Sequence, residues 1–121
     1  MGRFSAVMMD HFSAPCNAGT LDAPDRVGCA GTPGQGPYLA LHLRLAGETI
    51  VAAKFQTYGC GVSIATGSML TVMMIGKSIH ECLALTADDL AEALGGFPPD
   101  KAHCPILAIA AVRDALAGGG G

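Results

Sequence analysis

Two cysteines in this chain stand where a thiol is most easily turned into a thiolate. Cys60 is enclosed by glycines in Tyr58-Gly59-Cys60-Gly61, where an alternating apolar pattern gives way to a helical one. Cys104 precedes Pro105, a residue favoured at the first position of a helix. Each is therefore expected just ahead of a helix N-terminus, whose unpaired N–H groups and positive dipole end stabilise the thiolate over the thiol. Thiolate is the form that binds metal or accepts sulfur. The flanking glycines let the backbone turn sharply and leave room for an ion or cluster beside the sulfur, although the same run reads equally as a tight turn with a chance cysteine. His103 sets an imidazole next to Cys104, so one loop offers a soft and a borderline ligand. Two adjacent ligands and a distant cysteine are too few to close a tetrahedral site unaided.

Cys16, Cys29 and Cys82 complete an odd set of five without paired short spacings, which argues against a disulfide framework and for metal or thiolate chemistry. Cys16 and Cys82 read as well as small buried hydrophobes. An enzyme using Cys104 or Cys60 as nucleophile and His103 as base is disfavoured. Neighbours at a helix start seldom turn toward each other, and no third orienting group is apparent. The chain is expected not to be an enzyme.

The elements that must position these residues follow from periodicity. Phe4 to Phe12 predicts a short helix that Ser13-Ala14-Pro15 ends, and residues 13–37 are mostly loop with one short edge strand near Arg26–Ala30. From Tyr38 to Leu45 alternation is strict, with Leu39, Leu41, Leu43 and Leu45 on one face. Ala46-Gly47-Glu48 turns the chain, and Ile50–Tyr58 alternates again with Val51, Ala53 and Phe55 inward, giving an antiparallel hairpin with one wet face. After Gly59-Cys60-Gly61 the period turns helical, with Val62, Ala65, Met69 and Val72 on one buried side as far as Gly76, which stops the helix. Ser78–Leu85 predicts a short helix, Thr86 caps another to about Leu94, and Pro98-Pro99 breaks the chain. The last helix begins at Pro105 with Ile106, Ile109, Val112 and Leu116 buried, and residues 118–121 form a flexible tail. Strands first and helices after predict an α+β fold, a three-stranded, mostly antiparallel sheet packed against four to five helices.

Composition narrows the function classes. A chain of 121 residues suits one domain, 1–121, and 50% hydrophobic against 14% charged residues supplies the apolar surface to fold. With no Trp and six aromatics, the core must be built from aliphatic residues and Met. A net charge of −3 with only seven Lys plus Arg leaves no basic stripe for nucleic acid. Met69–Ile75 and Ile106–Val112 fall short of the roughly 20 apolar residues a membrane span needs. The N-terminus carries no signal-peptide pattern, so a cytoplasmic protein with no membrane partner is expected.

Three segments carry a resemblance to a known family. Tyr58-Gly59-Cys60-Gly61, the stretch Phe97-Pro98-Pro99-Asp100-Lys101-Ala102-His103-Cys104-Pro105-Ile106-Leu107, and the early Asp10-His11-Phe12-Ser13-Ala14-Pro15-Cys16-Asn17-Ala18-Gly19 resemble motifs of the U-type iron–sulfur scaffolds, IscU and the N-terminal domain of NifU, in the family's order and at nearly its spacing. The similarity runs over residues 5–117. It implies a scaffold on which a [2Fe–2S] cluster is assembled from iron and from sulfur delivered as persulfide by a cysteine desulfurase, then passed to cluster-accepting proteins. Carried over position by position, Cys60 and Cys104 become iron, cluster or zinc ligands and persulfide acceptors, with His103 an adjacent ligand. Pro98, Pro99 and Lys101 match the family's Pro-Pro-x-Lys segment, docked in bacterial members by an Hsp70-type chaperone; Phe97 and Asp100 replace aliphatic residues of that pattern.

The sequence departs from the family before the first long strand, where Ala-Cys-Gly-Asp is usual and Gly34-Gln35-Gly36-Pro37 stands here. Gln35 is a poor iron ligand beside thiolates and Pro37 has no donor. Clusters ordinarily take four protein ligands, and Cys60, His103 and Cys104 make three. Cys29 is a candidate replacement, with a buried edge-strand cysteine as the plain alternative; a water, a small thiol or a second subunit's cysteine are others. The rival function is a zinc-binding or regulatory module that kept the fold and lost assembly, since zinc suits two thiolates and an imidazole.

Overall fold

The alternating leucines form the centre of a sheet. The computed structural model describes residues 5–32, 34–59 and 61–117. In it β2 (Tyr38–Ala46) and β3 (Thr49–Tyr58) make an antiparallel hairpin through Gly47, whose φ of 63° is the left-handed conformation a tight turn asks of glycine. The short strand expected near 26–30 is β1 (Arg26–Gly31), which pairs antiparallel with β2, so the order is β1-β2-β3. Five helices complete the α+β architecture among the described residues: α1 (Ala6–Ser13), α2 (Gly61–Met74), α3 (Ile79–Leu83), α4 (Ala87–Ala93) and α5 (His103–Ala117). The expected tail 118–121 and the predicted helix start at Phe4 lie outside the described residues.

One face of the sheet, Leu39, Leu41, Leu43, Ala53 and Phe55, is buried beneath two helices, α5 over β1 and β2 and α2 over β3. Burial on this scale is the main favourable term in folding, at about 25 cal/mol per Å² of apolar surface. α2 is enclosed on most sides and buries Ser63, Thr66, Ser68 and Thr71 along with its apolar residues. Two of those hydroxyls are made tolerable by bonding to their own helix: Thr66 Oγ1 donates to the Val62 carbonyl at 2.6 Å and Thr71 Oγ1 to that of Ser68 at 2.8 Å. Gly67 lets the Phe55 ring lie against α2, since a Cβ there would sit 2.6 Å from Phe55 Cε2.

Several expectations are corrected by packing. Val51 is 46% exposed, because a bulge after Arg44 leaves it without a partner and turns Ile50 into the core in its place. Val72 and Ile106 share a stripe with buried residues yet lie outside, at 46% and 62% exposure, because neither packs beneath another element. The outer sheet face is not simply wet. The loop before β1 crosses it, with the Leu21 N–H donating to His42 Nδ1 at 3.3 Å and the Arg44 guanidinium donating to the Asp22 carbonyl. The outer edge of β3 is also covered, by Asn17 and Gly19 at Phe55 and by Gly76 and Lys77 at Ile50. Capping boxes at Ser78–Glu81 and Thr86–Asp89 start α3 and α4. No described helix is long and apolar enough to cross a membrane.

Candidate metal centre

α5 begins two residues earlier than its proline suggests. Its first residue is His103 and its second Cys104, so Pro105 still falls in the first turn, where a missing N–H costs no helical bond. Cys104 is 3% exposed, and its Sγ lies 3.7 Å from His103 Nε2 and 3.6 Å from Ser63 Oγ. The adjacent imidazole therefore does turn toward the sulfur, contrary to the expectation for neighbours at a helix start. Among the described residues no other group bonds the His103 ring.

Ser63 was missed by sequence reasoning. It stands in the first turn of α2, and nothing in a local pattern sets it against a cysteine 41 positions away. Cys60 itself lies outside the described residues; its neighbours do not. A Cβ on Gly59 would lie 2.6 Å from Ser63 Oγ, and one on Gly61 would lie 2.6 Å from Phe12 Cδ2 and closer to the rest of that ring. Gly59 also has φ +154°, which favours glycine. The chain before position 60 thus packs against Ser63, which reaches Cys104, and the chain after it packs against Phe12.

The motif around residues 10–19 has a structural task. Ser68 Oγ, fully buried, bonds His11 Nδ1 at 2.6 Å and accepts the Cys16 N–H at 2.7 Å, while Asn17 Nδ2 donates to Thr71 Oγ1 at 3.1 Å. These bonds fasten α1 and the following loop to α2 and hold Phe12 over Gly61. Cys16 is exposed rather than a buried hydrophobe. Cys82 is buried as expected, and burial pushes its thiol pKa up.

Cys29 is an edge-strand cysteine, but an exposed one. Its N–H donates to Asp114 Oδ2 at 2.8 Å and its Sγ lies 3.7 Å from Tyr38 Oη. That contact first, then burial, raises the Tyr38 pKa. Cys29 and His103 line one groove of about 640 Å³ with Pro37, Ile106 and Leu107. Among the described residues no three His, Cys, Asp or Glu side chains gather closely enough to hold an ion, so Cys29 is not brought to His103 and Cys104. Gln35 and Pro37 are exposed, and the Gln35 N–H donates to the Thr32 carbonyl at 3.0 Å. Pro98 is buried, and Pro99–Lys101 forms a 3₁₀ turn leading directly into His103.

Fold and site together define a small α+β protein that sets a sulfur and an imidazole side by side at the start of α5. The chain belongs to the NifU-like N-terminal domain family, which matches residues 3–118. It is 43% identical over 113 residues to the iron–sulfur cluster assembly scaffold protein IscU 1 of Archaeoglobus fulgidus, covering 93% of this chain and 74% of that one. It is 39% identical over 118 residues to the scaffold protein IscU of Escherichia coli K12, covering 94% and 91%. A crystal structure of a hypothetical protein superposes with a TM-score of 0.73 at 30% identity, covering 93% and 95% of the two chains. A SUF-system scaffold candidate from Fervidobacterium islandicum shares the fold, with a TM-score of 0.74 at 21% identity over 93% and 96%.

Proposed function

We propose that this protein is an iron–sulfur cluster assembly scaffold, with iron and a [2Fe–2S] cluster as its cargo and Cys60, His103 and Cys104 as the residues that hold it. The observation that carries this reading is a distance. An ion bound tetrahedrally at about 2.3 Å to sulfur and about 2.1 Å to nitrogen separates those atoms by about 3.6 Å, and His103 Nε2 and Cys104 Sγ stand 3.7 Å apart. The family and the names of its relatives support the same reading.

The chain's own residues then act as follows. The α5 N-terminus favours the Cys104 thiolate. That thiolate, or the one at Cys60, attacks the outer sulfur of a persulfide on a cysteine desulfurase; the S–S bond breaks, the donor's thiolate leaves, and the persulfide now sits on the scaffold. Three donors leave one coordination position to a water, a small thiol or a cysteine of another chain. Such a position suits a carrier, because an accepting protein's thiolate can enter without first displacing a protein ligand. The segment Pro98, Pro99 and Lys101 is the docking site for an Hsp70-type chaperone. The protein acts as one domain in the cytoplasm, as a carrier rather than an enzyme.

Anaerobic incubation with ferrous iron, cysteine and a desulfurase tests this reading through visible absorption and iron and sulfide content. A coloured protein with bound sulfide, lost in Cys104→Ser and Cys60→Ser, is expected. A colourless product without sulfide, or zinc that survives dialysis while no iron is taken up, refutes it; the second outcome marks a zinc module instead.

A further inference from the structure

Among the hydroxyls buried along α2, Ser63 differs in its partner. Thr66 and Thr71 donate to carbonyls of their own helix, whereas among the described residues Ser63 Oγ has one partner, Cys104 Sγ at 3.6 Å. The pair is removed from water, with Ser63 4% and Cys104 3% exposed. On its other side Ser63 is pressed against Gly59, where even a methyl group would lie 2.6 Å from the hydroxyl oxygen. The hydroxyl is therefore confined between the backbone leading to Cys60 and the sulfur of Cys104.

We infer that Ser63 is a positioning residue for Cys104. When that sulfur is a thiolate bound to an ion, it offers only lone pairs, so the hydroxyl must be the donor. The bond fixes the direction of Sγ and draws electron density from it, as partners beyond the direct ligands do at metal sites. It also ties the α2 and α5 starts together across the proposed centre, so that the two chain segments carrying the donors keep one spacing. The inference rests on the donor set proposed above.

Co²⁺, added to the reduced, metal-free full-length protein, probes it directly. Sulfur-to-cobalt charge transfer gives an absorption band whose energy falls when a hydrogen bond to the sulfur is removed, because the sulfur electrons become easier to transfer. Ser63→Ala is expected to weaken Co²⁺ binding about 10-fold or more and to move the band to longer wavelength, with the urea midpoint of the metal-free protein unchanged. Ser63→Thr, which keeps the hydroxyl, is expected to hold the band at the wild-type wavelength whatever its affinity. Wild-type affinity and band in Ser63→Ala overturn the inference, as does an affinity loss that follows the urea midpoint without a band shift, or an equal shift in both variants. A wild-type protein that shows no thiolate band with Co²⁺ instead overturns the donor set, and this inference falls with it.

Discussion

Adding one methyl group at Gly28 separates two kinds of close packing in this fold. Gly28 is a buried residue of β1 facing α5, and a Cβ there would sit 2.6 Å from Ala115 Cβ and closer still to the Ala111 carbonyl oxygen and the Ala115 nitrogen. Ordinary carbon contacts need about 3.5–4.0 Å, so strand and helix must part by about 1 Å. Neither can do so locally, because the obstructing atoms are mostly backbone. Overpacking of this kind costs about 1–3 kcal/mol, offset by about 0.4–1 kcal/mol from the less flexible unfolded chain. Because backbone atoms obstruct, the upper end of that cost applies, and the net loss for Gly28→Ala is about 2 kcal/mol, a fall in Tm of about 8 °C for a chain of this length. Gly61→Ala meets the Phe12 ring, which is 40% exposed and can swing outward; its cost is expected below about 1 kcal/mol. Urea unfolding followed by far-UV circular dichroism measures both, with unchanged slopes showing that the folded and unfolded ensembles are otherwise alike. The reasoning is refuted if Gly28→Ala unfolds at or above the wild-type midpoint, or if Gly61→Ala is the more damaging change. In Gly28→Ala the displaced strand also strains the Cys29 N–H bond to Asp114, so amide exchange at Cys29 should quicken.

Ser68→Ala removes the common partner of His11 and the Cys16 N–H and should cost about 1–3 kcal/mol, with faster amide exchange through α1 and residues 14–19. In native protein exposed to iodoacetamide, Cys16 and Cys29 should be alkylated well before Cys82, whose thiol is buried and held protonated; early label at Cys82 in mapped peptides contradicts this. The Ser78 N–H and hydroxyl hold the Glu81 carboxyl below the usual glutamate range. A depressed pKa contributes stability that is present above the unfolded value and lost as pH falls through the folded one. Glu81→Gln should therefore be less stable than wild type at neutral pH, with the gap closing in acid below the ordinary glutamate pKa. Cys29→Ala should lower the pH at which Tyr38 ionises, read by ultraviolet absorption in a chain with only two tyrosines.

The sequence by itself determined what depends on near neighbours. Alternation at Tyr38–Leu45 and Ile50–Tyr58 fixed the hairpin, because side chains two apart in a strand must share a face. Ser78 and Thr86 announced their helices, because a cap bonds within its own first turn. Residue types around Cys60 and Cys104 raised thiolate chemistry only beside the reading of a tight turn with a chance cysteine, and the family resemblance is what favoured the first. Tertiary structure decided which apolar faces are covered. Periodicity groups Ile106 with Ile109 and Val72 with Val62, but it does not say where the neighbouring element ends. It decided the bulge at Val51, a matter of pairing between strands, and the exposure of Cys29 beside Tyr38. It alone set Ser63 against Cys104, because a contact across 41 residues is made by the packing of two helices and leaves no periodic mark on either.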